Sequence, residues 1–144
     1  MAADGQCVLG DLEAASKRIP VNKPYIMMNM MNFRPLAQYA PDFEGFKSTS
    51  LSGLEAYTIY RDEFIKRAHE LGVKSPEVIF LGRANTNLIS GLHEGESWDL
   101  IVMVRFNSFA SFRSVLEDPV YKKSIAPHRV AGTRDFRSFA VTEN

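Results

Sequence analysis

The chain has 144 residues, 45% of them hydrophobic and 11% aromatic, enough to fill one sizeable core and too few to make a second domain the expectation. Seventeen Lys and Arg balance 17 Asp and Glu, which removes the long-range field that draws proteins to nucleic acid or anionic membranes. The single cysteine, Cys7, closes no intrachain disulfide, so a reducing, cytoplasmic setting is expected.

Residues 1–23 lack the apolar stretch of a secretory signal and read as a peripheral arm, with a weak helix over 11–18 capped by Asp11. The remainder, 24–144, reads as one domain, and its apolar runs are far shorter than the ~20 residues that cross a bilayer. Pro24 releases the dense run Tyr25-Ile-Met-Met-Asn-Met-Met-Asn-Phe33, too short and uninterrupted for a surface helix, hence a buried first strand. Residues 34–53 hold Pro35, Pro41 and Gly45 interleaved with Tyr39, Phe43 and Phe46, a long loop with apolar teeth that suits a lid. From Leu54 the spacing turns helical, with Ser52 as cap and Gly72 as terminator. Val78-Ile-Phe-Leu81, continued to Ile89, predicts a second strand that turns through 91–95 into a third over 98–106, a hairpin. Asn107 or Ser108 can cap a short helix reaching Leu116. Asp118-Pro119 restarts the chain in a helical turn that Pro127 is expected to end, and 136–141 is the closing strand.

The order β-α-β-β-α-β predicts an α+β, ferredoxin-like fold with a four-stranded antiparallel sheet beneath two helices. Such a sheet leaves its second face bare. Several of Ile79, Leu81, Ile101 and Met103, or their alternates, would lie there, and a second copy of the chain is the simplest cover, giving a homodimer.

Four motifs fall in one order: Met28-Asn-Met-Met-Asn-Phe-Arg34, Leu51-Ser-Gly-Leu-Glu-Ala-Tyr57, Trp98-Asp-Leu-Ile-Val-Met-Val-Arg-Phe106 and Asp118-Pro-Val-Tyr121. Together they resemble the domain-of-unknown-function 1330 family of the dimeric α/β-barrel superfamily, over about residues 25–141. The resemblance implies a cavity between sheet and helices, used elsewhere in the superfamily by cofactor-free polyketide cyclases, quinone-forming monooxygenases, haem-degrading enzymes and dehydratases. A plant cyclase branch has a His-Pro-x-His motif after its third strand, and Tyr121 stands here where that motif has its second histidine. A phenol with a pKa near ~10 donates protons at neutral pH, whereas a histidine near ~6.5 also accepts them, so that branch's chemistry does not transfer unchanged.

Among the residues themselves, His128 follows Tyr121 by seven positions, which puts both on one helical face if the turn is unbroken. With Arg129 and Arg134 close by, His128 and Tyr121 form a candidate acid/base pair beside an arginine that holds an anionic oxygen; a surface or dimer-contact histidine is the plainer alternative. Arg83 and Arg105 interrupt apolar strands and need an anion, either a carboxylate such as Asp99, Glu77 or Asp62 or a substrate oxygen. Asn29 and Asn32, three apart on one strand, point to opposite sheet faces and each needs a hydrogen-bond partner from backbone or ligand. Tyr57 and Tyr60 are candidates for the pocket roof or for plain core, and Phe43 and Phe46 for its cover. No glycine-rich phosphate loop, zinc-spaced Cys/His cluster or Gly-x-Ser-x-Gly elbow is present, so no metal and no cofactor is expected. Were haem to bind, His128 would be the first axial candidate. The resulting expectation is a cofactor-independent cyclase, isomerase or dehydratase acting on an aromatic or polyketide-like carbonyl compound, with a non-catalytic dimeric binding protein for an apolar small molecule as the alternative.

Overall fold

The computed structural model describes residues 7, 9–21, 23–44, 50–74, 76–91 and 94–143. Helix α1, Leu12–Ser16, begins where the Asp11 carboxylate accepts the Ala14 N–H at 3.0 Å. The arm is not set apart from the domain: Leu12 and Ile19 pack against the core, and Glu13 pairs with Arg113 at 2.8 Å.

Strand β1, Tyr25–Phe33, is an interior strand of the sheet, with Tyr25, Met27, Asn29 and Met31 toward the core and Ile26, Met28 and Met30 on the opposite face. Helix α2, Gly53–Glu70, opens on a reciprocal cap: Ser52 Oγ accepts the Glu55 N–H and the Glu55 carboxylate accepts the Ser52 N–H, both at 3.0 Å. It ends at Gly72, whose φ of +78° turns the chain away at no steric cost. Strand β2, Glu77–Arg83, is an edge, and strand β3, Leu100–Phe106, pairs with it. The expected continuation of the second strand to Ile89 does not form. Leu88 and Ile89 are 93% and 94% exposed, and Asn87 and Glu96 close a long loop through bonds to Glu96 O and Gly91 N–H in place of ladder bonds.

Ser108 caps helix α3, Phe109–Leu116. The chain then restarts at Pro119 and widens into a π-helical turn, Tyr121–Ile125, in which the Ala126 N–H reaches back five residues to Tyr121 O. Pro127, expected to end this segment, instead sits in the first turn of helix α4, Ala126–Gly132. The widened turn gives a residue without an N–H room to follow a helical segment without breaking it. Strand β4, Thr133–Val141, closes the fold.

The four strands pair antiparallel in the order β2-β3-β1-β4, an α+β, ferredoxin-like arrangement whose sheet is not closed into a barrel within one chain. The helices cover the face carrying Met31, Val102, Val104 and Phe106, where Phe64, Phe112, Val115 and Ile125 complete the core. Helices α2 and α4 cross closely at two glycines: a Cβ on Gly53 would lie 2.4 Å from Gly132 O, and one on Gly132 2.5 Å from Gly53 O. The crossing is stitched by Arg34, whose N–H donates to Gly132 O at 2.9 Å and whose carbonyl accepts the Gly53 N–H at 3.0 Å. No helix among the described residues is long and apolar enough to cross a membrane.

Candidate functional site

Between the sheet and its covering helices lies a cavity of about 410 Å³, within the range of small-molecule sites. Its floor is the alternate side chains Met27 and Asn29 of β1, Val102 and Val104 of β3, and Phe136 and Ser138 of β4. Its roof is Tyr57, Tyr60 and Phe64 of α2 with Tyr121 and Arg129 from the segment after α3. Leu9, Leu12 and Ile19 of the arm line the wall as well.

The polar groups gather at one end. The Tyr60 and Tyr121 hydroxyls lie 3.0 Å apart, and the Arg129 guanidinium sits over the Tyr60 ring at 5.9 Å and the Phe136 ring at 5.3 Å. Among the described residues no carboxylate pairs with Arg129. Burial pushes the Tyr60 phenol well above its ordinary pKa, reinforced by the neighbouring Tyr121 and only partly opposed by Arg129. Burial takes Tyr57 up to about 12 in the same way, with Arg61 and Arg129 working against it. For Arg129, burial acts to lower the pKa, but Tyr60 and Tyr121 outweigh it and leave it raised. At neutral pH the cluster therefore combines a fixed cation, Arg129, with the phenols of Tyr57 and Tyr60 held protonated.

The π-helical turn explains which residues meet here. In an unbroken α-helix a seven-residue spacing would bring His128 onto the face of Tyr121. One extra residue in the widened turn shifts that register, so Arg129, eight positions on, shares the cavity with Tyr121. His128 does not line the cavity. It is buried on another side of α4, where Nδ1 lies 2.6 Å from the Tyr39 hydroxyl and its ring meets Tyr39 and Phe43 edge-on. Tyr39 and Phe43 stack on each other at 5.5 Å. The expected pairing of His128 with Tyr121 is thus corrected: the two are divided between the cavity and the loop clasp.

Tyr121 is held by a chain of contacts. Asp118 accepts its N–H at 2.9 Å and is itself gripped by the Arg67 guanidinium. Asn29 lies on the cavity floor, 4% exposed, and its Oδ1 has no hydrogen-bond partner among the described residues. An unsatisfied buried amide oxygen costs about 1–3 kcal/mol, so its retention calls for a reason. Asn32 is on the opposite face and donates to Asp99 Oδ2 at 3.3 Å, an oxygen that also accepts the Phe33 N–H at 2.7 Å. Tyr57 and Tyr60 line the roof. Arg105 pairs with Glu77 at 3.0 Å outside the cavity, and Arg83 is exposed at the end of edge strand β2. Phe43 packs against His128, and Phe46 lies outside the described residues. The described part of the 34–53 loop is pinned to the end of α4, where the Gln38 N–H donates to Ala131 O at 2.9 Å. Neither Tyr39 nor Phe43 lines the cavity. Arg129, expected beside His128 as one of two arginines that could hold an anion, reaches the cavity wall through a π turn that the sequence does not signal.

No protein-family model matches the chain, and no curated protein does. Solved structures resemble it, the following two among them. The first is RPA0582, a protein of unknown function from Rhodopseudomonas palustris, 26% identical, covering 96% of this chain and 95% of that one with a TM-score of 0.73. The second is methylated RPA0582, 27% identical, covering 96% and 93%, also at 0.73. The shared architecture extends over nearly the whole of both chains.

Proposed function

We propose that the protein is a cofactor-independent enzyme that moves a proton on an apolar aromatic or polyketide-like carbonyl compound, as in a cyclase, isomerase or dehydratase. The observation that carries this reading is the Tyr60–Tyr121 hydroxyl pair, 3.0 Å apart, beside an arginine without a carboxylate partner among the described residues. With one hydroxyl of the tyrosine pair donating to the other, the remaining hydroxyl hydrogen and the Arg129 guanidinium suit the oxygen of an enolate or tetrahedral oxyanion better than that of the neutral ketone, which is the condition for lowering a barrier. Water entering the cavity takes the carbon-bound proton as the enolate forms and later returns one to carbon, while Tyr121 hydrogen-bonds the developing oxyanion and Arg129 supplies the fixed charge. The resemblance of the four motifs to the domain-of-unknown-function 1330 family, and more distantly to the plant cyclases, agrees with a cavity in this place.

The alternative of a non-catalytic binding protein is favoured by one feature. The only carboxylate in the described lining is Asp11, already engaged in capping α1, and the histidine expected to act as base lies elsewhere. Proton exchange at the carbon between the carbonyls of an aromatic β-diketone, followed by NMR in heavy water, separates the readings. Acceleration by the wild-type protein that is lost in Arg129→Met supports the enzyme; binding without acceleration supports the carrier.

We also propose that a second copy covers the bare sheet face. Ile26, Met28, Met30, Ile101 and Met103 alternate onto it, with Phe80 and Phe139 still 52% and 49% exposed. An apolar face of this extent is unfavourable in water, and a two-fold pairing would set the same patch of each copy against the other. Sedimentation at micromolar concentration should give a dimer that Met103→Glu converts to monomer; a wild-type monomer would overturn this proposal.

A further inference from the structure

We infer that the cavity holds a second, neutral anchor, the Asn29–Ser138 pair on its floor, which recognises a hydroxyl group on the same ligand. This rests on the proposal that the ligand's anionic or carbonyl oxygen sits at Tyr60, Tyr121 and Arg129. Asn29 and Ser138 are direct cross-strand partners on β1 and β4, and both line the cavity. Asn29 is 4% exposed, and its Oδ1 is buried with no hydrogen-bond partner among the described residues. Apart from Ser138, which does not bond to Oδ1, the surrounding floor of Met27, Val102, Val104 and Phe136 offers no polar side chain. An amide kept in such a setting is matched to something that arrives. A half-turn about its last bond presents Oδ1 or Nδ2, so it accepts from a ligand hydroxyl or donates to it, and the Ser138 hydroxyl takes the complementary role.

The spacing follows from the sheet. Phe136, which lies under Arg129, is two residues from Ser138 on β4, and two strand residues span roughly 7 Å. The ligand class is therefore an aromatic or polyketide-like compound with an anionic or carbonyl oxygen at one end and a hydroxyl roughly 7 Å away. The wall beyond, formed by Met27, Ala140 and Tyr25, is apolar over most of its surface and takes hydrocarbon.

4-Hydroxyphenylacetate and phenylacetate form a matched pair of probes, differing only by a hydroxyl at about this distance. Calorimetric titration of the full-length protein should show the hydroxylated probe binding about tenfold more tightly, the value of one well-placed hydrogen bond. Asn29→Leu should reduce that ratio to near one and Ser138→Ala should reduce it about threefold, while Arg129→Met weakens both probes alike. A wild-type ratio near one, or a ratio unchanged in Ser138→Ala and Asn29→Leu, overturns the inference. If Asn29→Leu does not fold, the ratio in Ser138→Ala decides. Affinities insensitive to Arg129→Met would count against the anion-binding end alone and leave the hydroxyl ratio to judge the second anchor. Failure of both probes to bind at millimolar concentration overturns both.

Discussion

Both carboxylate oxygens of Asp118 are taken by Arg67, Oδ2 from Nε at 2.8 Å and Oδ1 from Nη2 at 2.9 Å, and Oδ2 also accepts the Tyr121 N–H. The fork joins α2 to the start of the segment that carries Tyr121 and Arg129, so it positions the polar end of the cavity without touching a ligand. Hydrogen bonds from Arg67 hold the Asp118 carboxyl down at about 2, below its ordinary 3.8. A depressed carboxyl contributes stability that is fully present above the ordinary pKa and is lost as pH falls through the folded value. The difference in melting temperature between wild type and Asp118→Asn should therefore be constant from pH 7 to about 4.5 and shrink between about 4 and 2. A difference that does not change over that interval would mean that the fork does not hold the carboxylate ionised.

The glycine crossing makes a second expectation. With backbone oxygens only 2.4–2.5 Å from the place of a Cβ, neither Gly53 nor Gly132 can become alanine unless the helices move apart. Gly132→Ala should cost about 1–3 kcal/mol, as overpacking does, and lower the melting temperature by several degrees. Thermal unfolding by circular dichroism measures it; an unchanged melting temperature would show that the crossing has slack.

How far these features were legible in the amino-acid order depends on how local their causes are. The helix at Gly53–Glu70 follows from Ser52 and Glu55, three residues apart, and from Gly72, all short-range signals. β1 is readable from its apolar density, and the opposite facing of Asn29 and Asn32 from strand alternation alone. By contrast, the long 84–99 loop escaped because Leu88 and Ile89 are apolar residues with no core to meet, and periodicity carries no measure of burial. The polar end of the cavity escaped for a subtler reason. One added residue in the turn before Pro127 exchanges His128 for Arg129 at the cavity wall, and no propensity signals a π turn.

The clasp of Tyr39 on His128 should behave as a structural hinge for the described part of the loop. Tyr39→Phe removes the 2.6 Å contact with Nδ1 while keeping the ring stack on Phe43. A net loss of about 1 kcal/mol is expected, with faster amide exchange confined to residues 37–43. Exchange that stays unchanged there, measured by mass spectrometry, would show that backbone bonds such as Gln38 N–H to Ala131 O suffice to hold the loop.

The bare Oδ1 of Asn29 has a consequence for the ligand-free protein. Replacing a buried, unsatisfied amide by a side chain of similar size and no polarity removes a desolvation cost, so Asn29→Leu should raise the melting temperature by about 2–5 °C. A fall of similar size would indicate that the amide serves the fold.

The central claim is that the Tyr60–Tyr121 hydroxyl pair and Arg129 stabilise a developing oxyanion, and Tyr121→Phe tests it directly, since the ring contacts with Tyr60 and Phe64 remain and only the hydroxyl, with its bond to Tyr60, is lost. The measurement is the rate of carbon-bound proton exchange in an aromatic β-diketone at saturating substrate, read by NMR in heavy water. Loss of one oxyanion donor should lower the rate by about a hundredfold while binding changes far less. A rate equal to wild type in Tyr121→Phe, with the substrate bound, would contradict the account.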